Sequence, residues 1–184
     1  GKIEKLSVNT QDVLKICACI GNRFDLETLA AVRGTSVEKA LADLTEAIHE
    51  GMVSKIGDFY VFHHDRIHEA AYSMVSKAEK SALHYKIGKF LYDSSTENEL
   101  QSKLFYIVDQ FNLGLEMIKD GKEREWLSRL NLEAGKKAKE SAAFAPAFQY
   151  LKSGMDLLED DPWARQYSLT LALYSESTEA AYLM

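Results

Sequence analysis

Two prolines and two cysteines are all that this 184-residue chain contains. Scarce proline means few enforced turns, which disfavours a many-stranded β architecture and favours long helices made of Leu, Ala, Lys and Glu. The cysteines cannot form a disulfide framework. Cys17 and Cys19 are two residues apart on an expected helix, about 200° around its axis, so they face away from each other and from any shared metal. They read as small core residues. No apolar run nears the roughly 18–20 residues that cross a bilayer, and the opening Gly1-Lys2-Ile3-Glu4 has no signal-peptide core. The expected setting is therefore the cytoplasm, without membrane contact.

Positive charge is also in short supply. The net charge is −6, with 8 basic and 11 acidic side chains in residues 1–75 and 14 and 17 in residues 76–184. Neither half is built as a polyanion binder. What the chain does have is 46% hydrophobic and 27% charged residues, the composition of a folded protein.

The hydrophobic spacing predicts a helix through Val13, Ile16, Cys17 and Ile20 that ends near Gly21, then a short helix capped by Asp25 and running to Val32. After Gly34, Thr35 and Glu38 form a capping-box pattern, and Val37, Ala40, Leu41, Leu44 and Ile48 give a third helix one apolar face. Met52–Ile56 and Phe59–His63 are β-prone runs joined by Gly57-Asp58, which suits a tight hairpin. Three helices followed by a two-stranded hairpin make a winged helix, expected over residues 1–75.

From Asp65 onward only helices are expected, with starts at Asp65, Ser76/Glu79, Thr96/Glu99, Asp120/Glu123 and Asp161 before Pro162. Small and aromatic residues at Trp126, Leu130, Ala134, Ala138, Ala142, Ala147, Tyr150, Leu151 and Gly154 suggest a tetratricopeptide-type helix pair, in which small residues let helices approach and aromatics fill the gaps. Residues 76–184 are thus expected to be a tetratricopeptide-like array. The segment from Trp163 to Met184 carries one stripe at Ala164, Tyr167, Leu171, Tyr174 and Ala181 and another at Leu169, Ala172 and Leu173, so the array is expected to continue past its C-terminal end.

Several stretches resemble a known family: Thr10-Gln11-Asp12-Val13-Leu14-Lys15, Cys19-Ile20-Gly21-Asn22-Arg23-Phe24-Asp25-Leu26, Phe62-His63-His64-Asp65-Arg66-Ile67-His68-Glu69-Ala70-Ala71-Tyr72, and Leu130 to Lys139 with Tyr150-Leu151. They look like the region following the nucleotide-binding domain in STAND-class signalling ATPases of large bacterial serine/threonine kinase and hybrid sensor histidine kinase proteins. The resemblance implies a parent protein that binds ATP or ADP with Mg²⁺, and partners in the same chain: an upstream ATPase domain and downstream signalling domains. It also implies a relay role, with a protein ligand on the helical array. The phosphate loop G-x-x-x-x-G-K-[ST] is missing, since none of Gly1-Lys2, Gly88-Lys89, Gly121-Lys122 or Gly135-Lys136 is followed by Ser or Thr. No cofactor and no catalytic residue is expected in this segment itself.

His64, Asp65 and Arg66 are the candidate site. They are similar to the His-Asp pair of related switches in which the winged helix closes on the nucleotide domain and the histidine reaches ADP. An imidazole can donate a hydrogen bond to phosphate and gains charge beside it. The bland alternative is that Asp65 caps the next helix while His64 packs beside Tyr60. A zinc reading of His64-Asp65-Arg66-Ile67-His68 requires both imidazoles inside one helix, which a capping Asp65 would prevent. The rival function is a DNA-binding winged-helix regulator with a helical effector or dimerisation domain. Ser36–Glu50 argues against it, holding Glu38, Asp43, Glu46 and Glu50 against Lys39 alone, a net −3 where phosphates would have to bind. Lys136, Lys137 and Lys139 read as a solvated helix face.

Overall fold

The computed structural model describes residues 2–184. The chain is mainly helical, with a small three-stranded antiparallel sheet. It divides into two compact units, Gly1–Ser94 and Ser95–Met184.

The first unit opens with α1 (Val8–Ile20), started by Ser7 and stopped at Gly21, whose backbone is at φ 146°. A two-residue strand β1 (Arg23–Phe24) follows, then α2 (Leu26–Arg33) and α3 (Val37–His49). Asp25 caps α2, its carboxylate accepting from the Thr28 N–H at 2.7 Å and the Thr28 hydroxyl at 2.9 Å. Gly34 closes α2 in the left-handed region (φ 75°), a conformation that needs no Cβ. The Thr35 N–H is spent on the Ala30 carbonyl in that same closure, so α3 starts one residue later than expected. Ser36, not Thr35, accepts from the Lys39 N–H, and the Thr35/Glu38 capping box does not form.

The buried face of α3 is Ala40, Leu44 and Ala47, with Asp43 among them. Val37 and Leu41, expected in the core, are exposed. The helix is turned so that Asp43 meets Arg33 at 2.5 Å and Lys39 at 2.7 Å, and a carboxylate held by two cations can be buried where an unpaired one cannot.

The expected hairpin is present as β2 (Val53–Ile56) and β3 (Phe59–Phe62), turned by Gly57-Asp58, with Ile56 opposite Phe59 and Val53 opposite Phe62. The sheet has a third member that the sequence reading lacked. β1 pairs with β3, Arg23 opposite Val61 and Phe24 opposite Tyr60, giving the order β1-β3-β2. Phe24 is buried, stacks on Tyr60 at 6.0 Å between ring centres and leans on Phe62 at 5.8 Å. Arg23 lies 3.7 Å over the Phe59 ring. Two residues are too short for an alternation pattern, so ring packing is what holds this strand.

Helices α4 (Asp65–Ser73) and α5 (Lys77–Ser94) complete the unit. The sequence reading sets its boundary at 75/76, whereas the compact division falls after Ser94 because α5 packs on α1 and α2. Ile87 and Leu91 of α5 are buried, and so is its His84.

The second unit contains α6 (Glu97–Leu113), α7 (Gly121–Glu140), α8 (Phe144–Met155), a four-residue α9 (Pro162–Arg165) and α10 (Tyr167–Tyr182). The Thr96/Glu99 capping box forms reciprocally, and Asp120 accepts from the Lys122 and Glu123 N–H groups. α6 and α7 run antiparallel, tied by a double amide bond between Asn112 and Asn131 (2.9 and 3.0 Å) and by Lys137 donating to the Gln101 carbonyl. α7 and α8 are antiparallel as well. Gly135 faces Leu151, and the Ser128 hydroxyl donates to the Gly154 carbonyl at 2.8 Å. Ala138, Ala147, Leu151, Leu169, Leu173 and Ala180 form the core that α7, α8 and α10 share.

Two expectations change here. The last segment is not one helix but two, broken at Gln166 (φ −131°, ψ 38°), whose side chain accepts from the Glu159 N–H. The lysine run is only partly solvated. Lys136 is exposed, but Lys139 bridges to Glu176 and Glu179 of α10, each at 2.5 Å, and Lys137 lies 5.8 Å from the Phe105 ring centre.

Candidate functional site

The end of β3 and the start of α4 form one continuous turn. The His63 N–H donates to the Met52 carbonyl, which keeps the strand paired until its last residue. His64 then sits at the N-cap of α4 in extended conformation (φ −145°, ψ 140°), and its carbonyl accepts from the Ile67 and His68 N–H groups. Asp65 is thus the first helical residue and not the cap, a one-residue correction. Its carboxylate in the first turn complements the positive end of the helix.

His64, Asp65 and Arg66 are all exposed. The neighbour of the His64 ring is His63, edge-on at 6.1 Å, and the His63 ring meets the Ser54 hydroxyl. Tyr60 packs on Phe24 instead. The turn therefore presents an imidazole, a carboxylate and a guanidinium to solvent at one helix N-terminus. Such a group can donate to an anion through His64, Arg66 and the leading amides of α4.

One turn further on, α4 faces inward. The His68 imidazole Nε2–H donates to the Ala18 carbonyl of α1 at 3.0 Å, which fixes its tautomer. Its ring meets Phe62 edge-on at 5.3 Å and stacks with Tyr72 at 6.4 Å. Tyr72 in turn shares a 3.0 Å hydrogen bond between its hydroxyl and the His84 Nε2 of α5, with Lys80 4.1 Å from its ring centre. Phe62, His68, Tyr72 and His84 thus form a ladder from the sheet through α4 to α5, and the exposed triad sits at its head. Because Nε2 of His68 is committed to Ala18 and His64 lies outside the helix, the two imidazoles are not arranged to grip one ion. Among the described residues no group of three or more His, Cys, Asp or Glu could hold a metal.

The ladder is the feature of this region that the sequence pattern did not show. Its one local signal was the i, i+4 spacing of His68 and Tyr72; the links to Ala18 and His84 join residues 50 and 12 positions apart. Both cysteines, Cys17 and Cys19, are buried thiols of α1. Burial pushes the Cys19 thiol up to about 12 and Cys17 well above its ordinary value, so neither is a ready nucleophile. Tyr72 is also raised, by burial first and by Cys19 second.

No family model matches the chain, and no solved structure matches it. Among curated proteins it is similar to hybrid signal transduction histidine kinase G of Dictyostelium discoideum, 30% identical over an alignment that is 244 residues long with its gaps. The alignment takes in 99% of this chain and 7% of the relative's length.

Proposed function

We propose that this chain is a non-catalytic relay and protein-interaction segment of a larger signalling protein, a winged helix followed by tetratricopeptide-like helix pairs, working beside an ATPase of the STAND class. The observation that carries the reading is the similarity of almost the whole chain to a small part of a hybrid signal transduction histidine kinase. A segment of that proportion acts through its neighbours. That relative comes from outside the bacteria, so the reading covers hybrid kinases beyond the bacterial ones the sequence suggests.

The order helix, helix, helix, wing supports the first half of the reading, as does α3. Its exposed Val37 and Leu41, with a net charge of −3 over Ser36–Glu50, suit a protein neighbour and repel phosphate-rich duplex. The close α7–α8 approach at Gly135 and Gly154 supports the second half.

In this reading the upstream domain holds ATP or ADP with Mg²⁺, and this chain holds neither. His64 donates to a phosphate oxygen of the bound nucleotide, Arg66 adds charge, and Asp65 keeps the turn at the head of α4. Because α4 is fastened to α1 through His68 and to α5 through Tyr72, a shift at His64 moves a rigid piece and not a loose loop. The helical array hands that movement to downstream signalling domains or to a protein ligand, in the cytoplasm. The test is His64→Ala in the full-length protein. ADP is expected to dissociate about tenfold faster, and unchanged ADP retention in a folded variant would remove His64 from the mechanism.

A further inference from the structure

The proposed function leaves open where the second unit takes a protein and by what chemistry. A notch between α6 and α8 answers both. Asp109 and Asn112 of α6 form one wall, and Pro146, Gln149, Tyr150 and Ser153, at helical spacing on one side of α8, form the other. The walls are fixed from behind by α7: Asn112 is held by the double amide bond to Asn131, and Leu151 of α8 lies against Gly135. Tyr150 stacks on Phe105 at 5.6 Å between ring centres and closes one side. α10 meets α8 along Ala147, Leu151 and Gly154, a different side of α8 from the one that lines the notch. Neither wall is a terminal element of the chain.

The polar groups inside it favour a cation with several donors. Asp109 accepts the Tyr150 hydroxyl at 2.9 Å through one carboxylate oxygen, and its other oxygen has no donor among the described residues. No cation among them pairs with it, and Lys152, the charged residue of α8, does not reach it. Packing around the carboxylate raises the Asp109 pKa while the tyrosine bond opposes that rise, and no neighbouring positive charge acts on it. The Gln149 and Ser153 side chains also make no hydrogen bond among the described residues. The notch thus sets two oxygen acceptors beside one negative charge, which repels an anion. A divalent metal would want further carboxylates or imidazoles, and no such group of three exists among the described residues. The cavity, about 260 Å³, is smaller than the roughly 300–1,000 Å³ of small-molecule sites and suits a single inserted side chain. A guanidinium is planar, always charged, rich in donors and more weakly hydrated than an ammonium, so it matches a carboxylate flanked by acceptors in a half-buried notch.

The geometry points to this notch as a binding site for an arginine side chain of a protein partner, its guanidinium paired with the second oxygen of Asp109 and donating to the side-chain oxygens of Gln149 and Ser153. This rests on the second unit having a protein ligand, and not on the nucleotide role of His64.

The probe is arginine blocked at both ends, as the N-acetyl N-methylamide, titrated into the isotope-labelled chain while its amide resonances are followed. Citrulline blocked in the same way has nearly the same shape and no charge, and serves as the control. The arginine compound is expected to give saturable shifts clustered at Asp109, Asn112, Gln149 and Ser153, and to bind about tenfold more tightly than the citrulline compound. Its affinity should fall several-fold between about 50 and about 300 mM salt. Asp109→Asn is expected to lower that affinity about tenfold and Gln149→Ala several-fold, each with the remaining resonances in place. Equal affinity for the two compounds overturns the proposal, as do shifts that never saturate or an Asp109→Asn variant that binds as well as the parent. Free arginine binding more tightly than the blocked form also overturns it, because a ligand held by its α-amino and α-carboxyl groups is not a protein side chain. The blocked amino acid reads the notch without any partner, and none of these results bears on ADP retention, so this inference and the relay reading fail separately.

Discussion

Asp43 shows how a single residue can set the orientation of a helix. A carboxylate that is only 8% exposed would be costly alone, and here two cations from α2 and α3 meet it. The hydrogen bond from Lys39, then the Arg33 charge, hold its pKa below the ordinary 3.8 against the opposing effect of burial. A carboxylate depressed on folding contributes stability above its unfolded pKa and loses it as pH falls through the folded value. Asp43→Asn is therefore expected to lower Tm by roughly 3–8 °C at neutral pH. The difference should shrink once the pH drops below 3.8, and thermal melts of both proteins across that range measure it. Sequence pattern alone could not show this, because Asp43 reads as surface until Arg33 is brought beside it. His64, Asp65 and Arg66 were legible as neighbours in sequence, and the structure keeps them together on the surface. The ladder behind them was not legible, because its partners come from α1, β3 and α5.

At the scale of elements, close helix approach is what the second unit is built on. A Cβ placed on Gly154 would lie 2.7 Å from a Leu173 methyl and 3.2 Å from the Ser128 carbonyl oxygen, so it presses on both α10 and the backbone of α7. Alanine favours a helix over glycine by about 1 kcal/mol, yet overpacking costs about 1–3 kcal/mol and here includes a backbone atom that cannot turn away. Gly154→Ala is expected to destabilise the chain by about 1–2 kcal/mol net, measured by urea unfolding. A stabilised variant would mean that α8 and α10 are less tightly engaged than this contact implies. Helix existence and most starts were readable from caps and periodicity. The errors have local causes: Thr35 was consumed by the closure of α2, β1 was too short for a pattern, and Gln166 split a segment whose apolar stripes ran straight through it.

For the whole molecule, the claim is that the β3–α4 turn senses nucleotide held elsewhere and that the two compact units pass the change on. Composition pointed to a mainly helical protein with a net charge of −6. It could not show that α5 belongs to the first compact unit, since that depends on packing against α1 and α2 and not on any feature of residues 77–94. The most direct measurement is hydrogen exchange in the full-length protein, loaded in turn with ADP and with a non-hydrolysable ATP analogue. Amides from Phe62 to Tyr72 are expected to differ in protection several-fold between the two states. Identical exchange there, with nucleotide shown to be bound in both, would contradict the account.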